Sequence, residues 1–286
     1  MSYLSKIFNV IAGSGLLILG YSHYRTSRKL EQLRKSNAEK NRITSELRLA
    51  SQIQQSMMPL GHKILDDLEI YGTLVPAREM GGDLFDYGVI DGKLYFCIGD
   101  VCGKGAPAAM FMAYAHSLIW SFTRGESNPA RIIQSLNDVA SKDNVSCTFF
   151  TLFYGVLDLK TGLLQYCNAG HNPPFILGGD KVMMLDCDSN QPIGPMEDIE
   201  YTLQEVTMTP GSTIFLYTDG LTEANNGTRE QLGPERTQKV LEDCVKRQLK
   251  PKEIVDTVTE AVDQFTMNAE QYDDLTMLAI RYNPAK

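Results

Sequence analysis

The chain has 286 residues, 43% of them hydrophobic, and a formal charge of −8, which is enough for one large domain with a substantial core. The charge is uneven: residues 1–50 carry nine Lys/Arg against three Glu, which leaves −14 on residues 51–286. So acidic a body excludes nucleic acid as an expected partner.

The six cysteines (Cys97, Cys102, Cys147, Cys167, Cys187 and Cys244) sit singly, without a CxxC pair. They read as packing thiols of a reducing compartment rather than a disulfide framework. The four histidines, His23, His62, His116 and His171, form no HxxxH pair, which argues against an imidazole zinc site.

At the amino terminus, residues 7–21 are an apolar run broken by Asn9, Ser14 and glycines. Widening the window to residues 4–24 reaches the ~20 residues of a membrane helix. Arg25, Arg28, Lys29, Arg34 and Lys35 follow at once, whereas only Lys6 precedes. The positive-inside rule then predicts a single-pass anchor over residues 1–24 in the inner (cytoplasmic) membrane, with everything after it in the cytoplasm. A secretory signal would carry its charge on the other flank.

Residues 25–58 contain neither Gly nor Pro and are rich in Glu, Lys, Arg, Leu and Gln, so a long helical linker is expected over 25–60, stopped by Pro59. Ile43, Leu47, Ala50, Ile53 and Met57 recur at spacings of three and four. That stripe fits either docking on the chain's own domain or a coiled coil that makes a homodimer.

Past Pro59, residues 68–75 read as a strand. Strands at 85–90 and 94–99 flank Asp91-Gly92, a hairpin-turn pair. Helices are expected at 105–123, opened by Pro107, and at 128–140, with Asn128 as cap and Pro129 at its first position. A second hairpin spans 147–159 and 163–168 about Thr161-Gly162; short strands follow at 175–177, 182–185, 201–207 and 213–217. Two helices, 234–249 and 252–266, precede a last strand at 275–282. Hairpins dominate, so the sheets should be mainly antiparallel, with two helix pairs covering two sheets.

On this map Asp83 precedes a strand, Asp100 and Asp219 end strands, and Asp273 and Asp274 open the last one. Asp86 and Glu223 lie close by. Each acid taken singly reads as a turn residue. Together, beside glycines at strand ends, they are the oxygen donors that hard divalent cations take.

Seven blocks in order carry a resemblance. They are LRLASQIQQSMMP (47–59), MGGDLFDY (80–87), IGDVCGKGAPAAMFMA (98–113), FFTLFYGVLDLKTGLLQYCNAGHNPP (149–174), PIGP (192–195), LYTDGLTEA (216–224) and DDLTMLAIRY (273–282). They resemble the bacterial PPM-type serine/threonine phosphatases of the SpoIIE and RsbU kind.

The resemblance implies an α+β fold, a four-layer α/β/β/α sandwich over residues 61–286, with two Mn²⁺ or Mg²⁺ ions on the edge where the sheets meet. Carried over position by position, it implies metal ligation by Asp83, Asp100, the Val101 carbonyl, Asp219 and Asp273, with Asp274 an unresolved neighbour. Asp86 and Glu223 would stand behind them. Lys104 and Gly105, at the start of a helix, would meet an anionic substrate. Cys102 occupies a position where the wider PPM class often has histidine, so the general acid is unassigned; His171 is a candidate by residue type, against the reading that it orders its loop by hydrogen bonds.

The implied chemistry is hydrolysis of phosphoserine or phosphothreonine on a regulatory protein by a two-metal-activated water, without a protein nucleophile. The implied partner is a phosphorylated protein, such as an anti-sigma-factor antagonist in partner switching. Two other classes compete. GGDLF at 81–85 superficially resembles the GGDEF signature of diguanylate cyclases, but Leu84 replaces its acid. A catalytically silent, membrane-tethered interaction module would have no need of the acids.

Overall fold

The computed structural model describes the backbone of residues 3–65, 67–142, 144, 147–188, 190–267 and 269–284, with side chains from residue 21 onward. Two compact units are present, residues 1–49 and residues 50–286. The first is helical throughout its described length. Helix α1 runs Tyr3–Ser56, so its last turns belong to the second unit. It ends where expected: Met57 and Met58 close a final tight turn on Gln54 and Gln55, and Pro59 has no N–H to continue it.

The anticipated membrane span at residues 4–24 falls largely on side chains outside the described residues. Among the described residues no helix is long and apolar enough to cross a membrane. The expected stripe is only partly the docking face. Ile43 and Ile53 are exposed, while Gln54 and Met58 are the residues of this stretch that become buried.

After α1 the order is β1 (Gly61–Leu65), β2 (Leu68–Val75), β3 (Leu84–Ile90), β4 (Lys93–Val101), α2 (Ala106–Thr123), α3 (Pro129–Ala140), β5 (Phe150–Asp158) and β6 (Leu163–Ala169). It continues with β7 (Phe175–Gly178), β8 (Lys181–Met184), β9 (Gln204–Thr207), β10 (Thr213–Tyr217), α4 (Asp219–Thr222), α5 (Gly233–Lys246), α6 (Pro251–Thr266) and β11 (Leu275–Tyr282). The predicted order holds. β1 and the single turn α4 were not foreseen, and the strand expected at 201–207 shortens to β9. Asn128 caps α3 as read, its side chain accepting from Ala130 and Arg131. Asp91 and Gly92 both take positive φ, the backbone of the tight hairpin turn between β3 and β4.

The strands form a six-stranded sheet, β1-β2-β11-β10-β7-β8, and a five-stranded sheet, β3-β4-β5-β6-β9. Every strand pair in them is antiparallel. Why two sheets and two helical layers follow from this sequence is visible in β10, all five of whose residues are buried. Successive side chains of a strand point to opposite faces. Ile214 and Leu216 therefore enter the core between the sheets, while Phe215 and Tyr217 enter a second core under α5 and α6. β11 divides the same way, Leu278 and Ile280 to one side and Met277 and Ala279 to the other.

On the outer face of the five-stranded sheet, α2 and α3 cover β4, β5 and β6. The result is a mixed α+β fold in which helices flank two antiparallel sheets. The ends of β4 and β10 and the starts of β3 and β11 are brought to one edge.

Candidate metal centre

Asp83 sits just before β3 and is almost wholly buried, at 2% exposure. Its Oδ2 accepts hydrogen bonds from Thr218 Oγ1, at 2.8 Å, and from Thr276 Oγ1. These two hydroxyls come from the end of β10 and the start of β11, so one carboxylate oxygen ties the two sheets together and the other is left for the site. Burial, then the neighbouring Asp100 charge, raises the Asp83 carboxyl well above the usual range.

Asp100, near the end of β4, is pushed up to about 7 by burial and then by the Asp219 carboxylate, with Asp273 and Asp274 adding to the push. Asp219 opens α4 and is raised by burial, then by Asp273 and Glu223. Mutual repulsion among these groups is the electrostatic mark of a centre that binds positive charge.

Asp273 and Asp274, left unresolved by the sequence, separate cleanly. Asp274 Oδ1 accepts the Ala77 N–H at 2.8 Å and its Oδ2 accepts the Gly82 N–H at 2.9 Å. Each oxygen thus helps to fold the Gly81-Gly82 loop that delivers Asp83. Glycine is needed on both sides of Asp274, at Gly81 against its carboxylate and at Gly220 against its backbone. A β-carbon on Gly81 would lie 2.0 Å from Asp274 Oδ2, and one on Gly220 would lie 1.9 Å from the Asp274 carbonyl. Asp273 is instead partly exposed and turned to Lys104, whose Nζ lies 2.8 Å from its Oδ2.

Lys104 also donates to the Tyr272 carbonyl at 2.6 Å, with its ammonium 3.7 Å from the Tyr272 ring centroid. The expected Gly103-Lys104-Gly105 turn is present, with both glycines at positive φ ahead of α2. The Val101 carbonyl faces Gly82, 2.7 Å from where a β-carbon there would sit.

Among the described residues, no three His, Cys, Asp or Glu side chains are drawn together tightly enough to enclose an ion as they stand. The cause is local: Asp274 is held by amides, Asp83 by hydroxyls, and Asp273 by an ammonium that already supplies one positive charge. The donor set itself fits a hard divalent cation. It offers carboxylate oxygens and a nearby carbonyl, braced from behind by hydroxyls and amides, without thiolate or imidazole among them.

Two expected site residues, His171 and Asp86, do not face the acidic edge. His171 is buried at 5% exposure, so it does not face a substrate. Its Nδ1 is 2.8 Å from Thr151 Oγ1, on the residue that pairs with Asp100 across β4 and β5. Its backbone is tied to the Asn168 side chain. Burial lowers its pKa to about 4, and its Nε2 lies near the Tyr217 backbone without a hydrogen-bonded partner among the described residues. It is a neutral strut beneath the edge.

Asp86 is buried, but its Oδ2 accepts from His116 Nε2, at 2.6 Å, and from Trp120 Nε1, while Oδ1 takes the Tyr87 N–H. It bolts α2 to β3 and does not support the acidic edge. Glu223 is exposed and acts on Asp219 through its charge.

The sequence reading missed the residues that brace the site. Thr218 and Thr276 lay inside the quoted YTDG and DDLT blocks. His116 and Trp120 are spaced four apart on α2, a spacing that puts both on one helix face. Gln54, at the end of α1, grips the Gly81 backbone with Nε2 to its carbonyl at 2.6 Å and Oε1 near its N–H at 3.4 Å. Cys102 is a packing thiol whose sulfur accepts the Phe149 N–H.

Comparison with known proteins identifies the class. The fold is that of PP2C-like domains: the SiaA-PP2C domain of Pseudomonas aeruginosa superposes with a TM-score of 0.75 at 23% identity, covering 86% of this chain and 99% of that one.

Residues 90–283, more than half of the chain, match the family described as Stage II sporulation protein E (SpoIIE), and the chain belongs to that family. Among relatives, Protein IcfG of Synechocystis is 30% identical over 295 residues, spanning 93% of this chain but 46% of IcfG. Phosphoserine phosphatase RsbU of Bacillus subtilis is 27% identical over 285 residues, spanning 97% of this chain and 78% of RsbU.

Proposed function

We propose that this chain is a divalent-cation-dependent protein serine/threonine phosphatase acting on a phosphorylated regulatory protein. One observation carries the reading: Asp83, Asp100, Asp219 and Asp273, from four separate segments, are brought to one sheet edge, where burial and neighbouring like charge raise the first three, an arrangement that costs stability unless positive charge is bound there. Its similarity to RsbU, a phosphoserine phosphatase, supports the same reaction class.

In this reading Asp83, Asp100, Asp219 and Asp273 hold Mn²⁺ or Mg²⁺, with the Val101 carbonyl beside them, and Asp274 fixes the loop instead of ligating. The cations would lower the pKa of water and neutralise phosphoryl oxygens. The chain's own part is positional. Thr218 and Thr276 aim the free oxygen of Asp83; Asp274 and Gln54 fix the Gly81-Gly82 loop; and Lys104, at the mouth of α2, adds a positive charge beside Asp273 for a phosphate to meet.

The regulatory setting is a further part of the proposal. Partner switching with an anti-sigma-factor antagonist as substrate fits the likeness to RsbU. The apolar run at 7–21 with its basic flank supports a single-pass inner-membrane anchor with the catalytic domain in the cytoplasm. The exposed Ile43 and Ile53 of α1 support a homodimer through the linker.

The test is release of phosphate from para-nitrophenyl phosphate and from phosphoserine peptides by the full chain, with and without Mn²⁺. Activity that depends on Mn²⁺ and drops by at least about 10³-fold in Asp100→Asn is expected, the order of loss when a charged group of a preorganised site is removed. Activity that survives Asp100→Asn would refute the reading.

A further inference from the structure

Beside the acidic edge lies a cavity of about 460 Å³ whose wall includes Gly220 and Asp273, so it opens directly next to the proposed reaction centre. Its floor is apolar: Val262 of α6 and Leu275 of β11 line it and are buried. Its rim carries Glu223, Asp263 and Glu270, all exposed, and among the described residues no Lys, Arg or His lines it. None of the three rim acids is in an ion pair with a described residue, although many acids elsewhere on the surface are paired.

An apolar floor beneath an uncompensated acidic rim matches one kind of side chain. Lys and Arg lay an aliphatic stem along apolar surface and keep a cationic head outside it. The volume is within the range of pockets that hold small ligands, with room for a long side chain and some of its backbone.

Because Gly220 and Asp273 belong both to this wall and to the acidic edge, anything seated here is tethered within a few residues of the group that reacts. We propose that this cavity is a substrate subsite that takes a lysine or arginine close in sequence to the phosphoserine or phosphothreonine. The inference rests on the phosphatase reading and adds to it a rule for choosing among phosphoproteins.

The test uses the full chain with Mn²⁺ and phosphoserine peptides identical except for Lys, Ala or Glu near the phosphoserine, alongside para-nitrophenyl phosphate, which has no side chain to seat. The expected order of kcat/KM is Lys above Ala above Glu. The Lys-to-Glu ratio should be roughly tenfold at low salt, from several partly screened charge contacts, and should shrink as salt rises. D263N/E270Q should flatten the order while leaving para-nitrophenyl phosphate turnover unchanged, and Glu270→Lys should reverse it.

Equal rates on the three peptides, or an order untouched by D263N/E270Q, would overturn the subsite while leaving the phosphatase standing. Absence of turnover by the unaltered chain on every substrate, para-nitrophenyl phosphate included, would refute the phosphatase reading and the subsite with it.

Discussion

Asp83 and Asp86 are three residues apart at the start of the same strand, yet they belong to opposite kinds of environment. Asp86 meets His116, Trp120 and the Tyr87 amide, so its charge is matched by donors and it joins α2 to β3. Asp83 meets two hydroxyls on one oxygen and other carboxylates on its open side. Asp273 and Asp274 show a different contrast between adjacent residues: Asp274 is buried and held by the Ala77 and Gly82 amides, whereas Asp273 is partly exposed and paired with Lys104. A buried carboxylate with its hydrogen bonds satisfied holds structure together, whereas one facing like charge holds free energy in reserve for a ligand that neutralises it.

The hardest blow to this contrast is a pair of substitutions at the neighbours. Asp274→Ala leaves the Ala77 and Gly82 amides without their acceptor, at about 1–3 kcal/mol each. Unfolding stability should therefore fall by about 2–6 kcal/mol in denaturant titration. Asp273→Asn should stay within about 0.5 kcal/mol of the parent, as for a surface change, while its Mn²⁺ affinity by calorimetry weakens. Equal losses of stability in the two variants would erase the distinction.

A sharper probe is pH. In protein freed of divalent cations by chelation, Asp100, Asp83 and Asp219 bind protons more tightly folded than unfolded, because burial and like charge raise all three. Between the ordinary carboxylate range near pH 4 and about 7, where Asp100 titrates, the native state holds more protons than the unfolded state. Stability should therefore be greatest on the acid side of that window and decline as pH rises through it. Mn²⁺ should flatten the decline. Thermal melts that instead rise steadily from pH 5 to 8 without metal would contradict the arrangement.

The smallest effect belongs to the satisfied acid. Trp120→Phe removes one of the donors to Asp86 and should cost about 1–2 kcal/mol, with Mn²⁺ affinity unchanged within about twofold. A large loss of metal affinity would mean that Asp86 supports the edge after all.

Much of this was legible beforehand, for identifiable reasons. β2, β10 and β11 were bounded to the residue because β2 alternates buried and half-buried positions and stops at Pro76, while β10 and β11 are mostly apolar runs buried on both faces that end or begin beside Thr218 and Asp274. The hairpin at Asp91-Gly92 and the Asn128-Pro129 helix start are local chemistry, readable wherever they occur. β1 was missed because its exposed pattern carries no periodic signal, and α4 because a single turn is too short to show one. Of the two readings of His171, the loop-ordering one agrees with its hydrogen bonds to Asn168; residue type alone could not separate them, because it says nothing about whether solvent reaches the ring.

What the sequence alone determined is the inventory: the order of strands and helices, the family, and the acids that recur beside glycines at strand ends. What only the tertiary structure decided is the surroundings of each acid. Asp273 and Asp274 are indistinguishable as a string. They differ because the Gly81-Gly82 loop, folded back from some 190 positions earlier in the chain, gives backbone amides to both oxygens of Asp274, whereas Asp273 meets Lys104 and the Asp274 N–H. A carboxylate's pKa and its availability depend on distances of a few ångström to groups remote in sequence, and those distances exist only after the sheets have packed.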